Sequence, residues 1–162
     1  MELSEALNNR KSTRHYRDKK VDKSLLDEML SAANLAPSWK NSQTPRFYVA
    51  TGEKSKNAVR EALPEFNRKN SENASAYIVT TVVLNRSGFD KDGTAVTEIG
   101  NGWGYYDLGL NNMALLLKAT ELGISTLVMG IRDGEKLRKE FDIPKTEAVV
   151  SVIAVGYTDS EI

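Results

Sequence analysis

Helix-period and strand-period segments alternate along this chain, and that alternation predicts a mixed α/β or α+β fold. Two further observations predict a single domain spanning residues 1–162. The length is close to the usual size of one domain, and no linker, repeat or low-complexity stretch breaks the pattern. Hydrophobic residues make up 40% of the chain, which supports a core able to hide about two thirds of the unfolded surface.

Residues 4–9 read as a short helix, with Leu3 and Leu7 on one face, followed by the polar run 10–14. Asp22 suits a helix N-cap. From there Leu25, Leu26, Met29, Leu30, Ala33 and Leu35 recur at three- and four-residue spacing, so a half-buried helix should reach residue 36 and stop at Pro37. A polar loop over 38–45 leads to a strand at 47–50. A helix follows over 54–62 and resumes near 65–69. Residues 77–84 are β-branched and poor in charge, as in a strand covered on both faces. The Gly-rich stretch 86–102 is the one long loop, either a lid or a disordered connection. Residues 103–122 form the longest predicted helix, apolar nearly all round over 113–119, with Gly123 as its C-terminal cap. A strand at 124–129, a helix at 133–141 and a strand at 148–157 complete the chain.

The scarcities narrow the chemistry. With zero Cys there is no disulfide, thiolate nucleophile or zinc–thiolate site, and with one His, His15, there is no multi-His metal site. Twenty-two cationic and 22 acidic side chains balance, which argues against a general nucleic-acid binder. The longest apolar runs fall far short of the roughly 20 residues of a membrane span. The N-terminus has no signal-peptide pattern. The expectation is a soluble cytoplasmic protein that borrows a cofactor for any demanding reaction.

Four groups could carry that chemistry. Arg10, Lys11, Ser12 and Arg14 put three cations and a hydroxyl within five residues, which suits a phosphate; alone, a solvated basic turn accounts for them as well. Pro37, Ser38, Trp39, Lys40, Asn41, Ser42 and Gln43 offer donors, acceptors and a stacking ring to a heteroaromatic edge, or form an ordinary polar turn. Gly109, in Asp107-Leu108-Gly109, admits close approach of another backbone or a flat ligand, or simply helix packing. Met129 and Gly130, at a strand end, could present backbone N–H groups to a ligand.

In order and spacing these pieces resemble the FMN-dependent nitroreductase family. Arg10-Lys11-Ser12-Thr13-Arg14 is similar to its Arg-x-Ser-x-Arg/Lys motif, and Ala36-Pro37-Ser38-Trp39-Lys40-Asn41-Ser42-Gln43 to its Ala-Pro-Ser-x-x-Asn-x-Gln motif. Phe47-Tyr48-Val49 resembles the strand that follows. Asp107-x-Gly109 with Leu115-Leu116-Leu117, Ala119 and Leu122-Gly123 resembles the long central helix, and Val155-Gly156-Tyr157 the closing strand. The resemblance implies an α+β sandwich, with a mostly antiparallel sheet flanked by helices, in a homodimer that binds FMN at the subunit interface. Arg10, Ser12 and Arg14, assisted by Lys11, would hold the phosphate and ribityl chain. Pro37, Ser38 and Trp39 would come from the other subunit, and Asn41 would also bind the cofactor. Asn67 would face the isoalloxazine edge, and a backbone N–H of Met129 or Gly130 the flavin N5.

The implied activity is ping-pong hydride transfer from NAD(P)H through FMN to nitroaromatics, quinones or similar flat acceptors. The alternatives are a flavin carrier or sensor without turnover, and a dehydrogenase or dehalogenase of the same fold. Two departures from the family stand out. Residues 158–162 carry no Lys or Arg where the family usually adds a basic tail, and the loop at 86–102 replaces a helical insertion. Weaker FMN binding and an altered substrate range are the corresponding expectations.

Overall fold

Side-chain alternation in two central strands organises the molecule, of which the computed structural model describes residues 1–159. The elements are α1 (Leu3–Asn9), α2 (Lys23–Asn34), a 3-10 turn (Trp39–Asn41), β1 (Pro45–Ala50), α3 (Glu53–Glu61), α4 (Glu65–Asn70), β2 (Ala76–Val83), α5 (Gly102–Glu121), β3 (Ser125–Met129), α6 (Gly134–Glu140) and β4 (Glu147–Gly156). The strands form one sheet in the order β1-β2-β4-β3, and each neighbouring pair is antiparallel. Part of the acidic tail noted above, residues 160–162, lies outside the described residues.

In β2, Tyr77 and Val79 point into one core, while Ala76 and Ile78 point into the other. Val152 and Ala154 of β4 join the first core, and Ile153 and Val155 the second. The first core is closed by Val59 of α3 and Leu137 of α6, the second by Leu26 and Met29 of α2 and Leu115 and Ala119 of α5. Each fully buried aliphatic side chain contributes about 1.5–3 kcal/mol, so the two central strands, covered on both faces, dominate stability. This is the α+β sandwich that the sequence predicts. Among the described residues no helix is long and apolar enough to cross a membrane.

The structure corrects several local expectations. Asp22 occupies the N-cap position of α2, but its side chain makes no capping hydrogen bond. Helix α5 is buried along Leu108, Leu115 and Ala119 but open at Tyr105, Tyr106, Leu110 and Met113. It is therefore half-covered within one chain, not buried all round. Nothing lies within 4 Å of an added Cβ at Gly109, so no helix of the same chain packs closely there, whereas α5 approaches the sheet closely at Gly104, where an added Cβ would lie 2.8 Å from Val82 Cγ2. The loop after β2 is folded, not disordered. Phe89 and Ala95 form a bridge, Trp103 Nε1 donates to Thr97 Oγ1 at 2.8 Å, and Gly88, at φ +85°, packs against the Trp103 side chain.

Candidate cofactor site

The basic segment is pinned to one end of the sheet by its own backbone. Thr13 N donates to Thr126 O at 3.0 Å, and Arg17 N donates to Tyr157 O at 2.8 Å. Between them the buried Tyr16 ring fills the space left by Gly156, where a Cβ would meet Tyr16 Cδ1 at 2.8 Å. Burial pushes the Tyr16 phenol well above its ordinary range, so it acts as a neutral wedge. This anchoring leaves Lys11, Ser12 and Arg14 exposed and Arg10 half-buried. Arg14 Nη1 donates to Ser12 O at 3.2 Å. Among the described residues, no carboxylate lies within ion-pair distance of Arg10, Lys11 or Arg14. Three cations and a hydroxyl, with no acidic neighbour among the described residues, make a candidate receptor for a dianion.

Edge strand β3 leads away from that receptor. Val128, Gly130 and Ile131 are exposed along it, while Met129 is buried. At its far end Asn67, buried on α4, donates from Nδ2 to Ile131 O at 3.2 Å. Asn67 is thereby brought to the Met129–Gly130 turn. Four residues separate Thr126 from Gly130, a span of about 13 Å in extended chain and on the order of the length of a mononucleotide.

The 38–43 loop is strained and strongly anchored. Lys40, Asn41 and Gln43 have φ of 45°, 53° and 50°, a left-handed conformation that costs a non-glycine residue about 1–2 kcal/mol. Both carboxylate oxygens of Asp107 accept from Trp39 N at 3.1 Å. The Ser87 hydroxyl donates to Asp107 Oδ2 and lies 3.1 Å from Ser42 Oγ. Gln43 N donates to Ser38 Oγ at 3.0 Å. The Trp39 and Trp103 rings lie 4.7 Å apart, and Trp39 Nε1 is buried without a hydrogen-bond partner. Pro37 and Asn41 stay exposed and Ser38 half-buried, beside a cavity of about 410 Å³ lined in part by Ser38, Gln43, Arg46 and Asn111.

One chain brings only some of these groups together. Thr126 is opposite Val155, which is opposite Ala76, whereas Pro45 is opposite Val82. Three strand spacings across and six residues along the sheet separate Thr126 from Pro45 by about 25 Å. Arg10, Ser12 and Arg14 therefore share the β3 edge with Asn67, Met129 and Gly130. Pro37, Ser38, Trp39 and Asn41 precede β1, at the opposite edge of the sheet.

Asp107 and Ser87 were not assigned roles from sequence, and Ser42 was assigned to a ligand edge, not to Ser87. A signal existed: Asp107 and Asn111 are spaced i, i+4 in the midst of an apolar helix, and both are buried beside Leu108 and Leu115. A buried polar side chain needs a partner.

The sequence model of the Nitroreductase family matches residues 7–157. The chain belongs to the nitroreductase family. It is 27% identical over 161 residues to a protein of Methanothermobacter thermautotrophicus named "Putative NADH dehydrogenase/NAD(P)H nitroreductase", covering 97% of this chain and 78% of that one. Among solved structures, an FMN-dependent nitroreductase of Clostridium difficile R20291 superposes with a TM-score of 0.72 at 29% identity, over 97% of this chain and 88% of that one. A nitroreductase family protein of Streptococcus pneumoniae TIGR4 superposes with a TM-score of 0.83 at 23% identity, over 99% and 92% of the two chains. The antiparallel sheet between helical layers is the nitroreductase fold.

Proposed function

We propose that this nitroreductase-family protein is an FMN-dependent oxidoreductase that takes electrons from NAD(P)H and passes them to nitroaromatics, quinones or similar flat acceptors. One observation carries the reading: the residues suited to a flavin mononucleotide divide between the two edges of the sheet, as a site shared by two copies requires. The relatives named as NAD(P)H and FMN-dependent nitroreductases support it.

The residues present fit FMN. Arg10, Lys11 and Arg14, which have no carboxylate partner among the described residues, bind the phosphate, and the Ser12 hydroxyl adds a donor. Asn67 fixes the turn that presents the Gly130 backbone to the isoalloxazine ring. Pro37, Ser38, Trp39 and Asn41 of a second copy close the other side and keep water from it. FMN, when bound, supplies a two-electron redox centre that no side chain here provides. Backbone and side-chain donors at the ring stabilise added negative charge.

The dimer has a surface to form on. Tyr106, Leu110 and Met113 are exposed at i, i+4, i+7 spacing on α5, and Leu3 and Leu7 are exposed on the neighbouring α1. Gly109, with open space above it, lets a second helix approach closely. Such an apolar stripe is buried when two copies meet across a two-fold axis.

The test is steady-state turnover of FMN-loaded protein with NADH or NADPH, using nitrobenzene and p-benzoquinone as acceptors. The expected result is nicotinamide oxidation that needs both FMN and an acceptor. Protein that holds FMN yet oxidises neither nicotinamide with either acceptor would overturn the proposal and favour a carrier or sensor.

A further inference from the structure

We propose that Asp107 is a positioning residue that acts in trans: from inside α5 its carboxylate sets the 38–43 loop, and so completes the cofactor site of the other subunit. The inference rests on the shared-site reading above and adds to it the residue that makes the lent half of the site rigid.

Asp107 is only 3% exposed, and among the described residues it has no cationic partner. It is held by donors alone, Trp39 N–H and the Ser87 hydroxyl. A carboxylate is acceptor-only, so it suits a point on which donors converge. Those donors come from the two segments that flank the loop's exposed groups. Trp39 N belongs to the loop itself, and Ser87 reaches it a second time through Ser42.

The same loop holds three left-handed non-glycine residues within four positions. A segment in such a conformation relaxes unless its surroundings over-determine it. Asp107 is the buried group that does so, and Ser38 and Asn41 keep their places because their chain neighbours Trp39 and Ser42 are held. The loop precedes β1, at the sheet edge opposite the one that carries its own chain's basic segment. Loss of Asp107 therefore damages the site built on the other chain's Arg10, Ser12 and Arg14.

The test uses FMN binding followed by flavin fluorescence, with the melting temperature of the FMN-free protein as a separate readout. Losing an anchor of this kind should weaken FMN binding about 10- to 100-fold in Asp107→Ala. Asp107→Asn keeps one acceptor for Trp39 N–H and should fall between Asp107→Ala and the parent. Ser87→Ala, a milder change outside the helix, serves if Asp107→Ala does not fold.

The deciding arm is a mixed dimer, made by co-expression with two different tags. One subunit carries Asp107→Ala and the other carries Arg10→Ala with Arg14→Ala. Action in trans leaves one intact site, built from the basic segment of the first subunit and the loop of the second. The mixed dimer should then bind one FMN with the parent's affinity. A mixed dimer with no tight site would show that Asp107 acts in cis or through general stability, and would overturn the proposal. So would Asp107→Ala and Asp107→Asn homodimers that bind FMN like the parent. A parent protein that binds no FMN would instead overturn the functional reading on which the inference rests.

Discussion

Removing the two arginines of the basic segment should separate cofactor binding from folding. Arg10 and Arg14 make no ion pair with any described carboxylate, and the only side-chain bond among them is that of Arg14 to Ser12 O. The fold rests on Tyr16, Thr13 and Arg17 backbone contacts that the double substitution leaves alone. Arg10→Ala with Arg14→Ala should therefore change FMN-free stability by no more than about 0.5 kcal/mol, the usual range for surface changes. Each arginine should give a charge-assisted contact to phosphate of about 1.5 kcal/mol, the low end because both side chains are at least partly solvated. Together that is about 3 kcal/mol, or roughly 150-fold in dissociation constant. Fluorescence titration of FMN measures the affinity, and urea unfolding of the FMN-free protein measures the stability. Affinity should also fall with added salt in the parent, and less so in the variant. Parent-like affinity in a folded variant would refute the reasoning, because the cluster would then be a solvated turn.

Other outcomes follow from single contacts. Gly104→Ala places a Cβ 2.8 Å from Val82 Cγ2, and overpacking of this kind should cost about 1–3 kcal/mol, seen as a melting temperature lower by roughly 2–10 °C. Leu110→Lys with Met113→Lys puts two charges on the open stripe of α5 and should turn a dimer into a monomer by light scattering, with FMN occupancy falling alongside. Tyr48 is pushed from 10.0 up to about 12, by burial first and then by its hydrogen bond to the Glu147 carboxylate. The folded state thus keeps this proton where the unfolded state loses it. Its contribution is fully present below pH 10 and is lost as pH rises through about 12, and Tyr48→Phe should flatten that part of an alkaline unfolding curve.

Local periodicity made the elements readable, because each reflects a face that must be buried. The stretch 77–84 was rich in β-branched residues because Ile78 and Val79 face different cores across one strand. What periodicity does not encode is pairing. Nothing in the composition of residues 45–50 says that β1 lies at the opposite edge from β3, and that separation is what puts the 38–43 loop and the basic segment at different edges. Helix α5 reads as buried all round because its exposed stripe, Tyr106, Leu110 and Met113, is apolar like its core stripe. Asp22 reads as a cap because its residue type and position fit, although its side chain makes no capping hydrogen bond. Asn67 was legible only through family resemblance and Gly130 also from its place at a strand end, but their proximity through the Asn67 bond to Ile131 O was not legible at all. Asp107 was quoted as part of a motif, but its role depends on Trp39 and Ser87, 68 and 20 residues away in the chain, and no local rule reaches that far.

The most direct test of the central claim is an anaerobic absorbance spectrum of the FMN-loaded protein before and after addition of NADH or NADPH. Electron transfer from nicotinamide to bound flavin predicts loss of the yellow flavin band with at least one of the two, and its return when a quinone is added. A bound flavin whose band persists with both nicotinamides, yet bleaches with dithionite, would contradict the account.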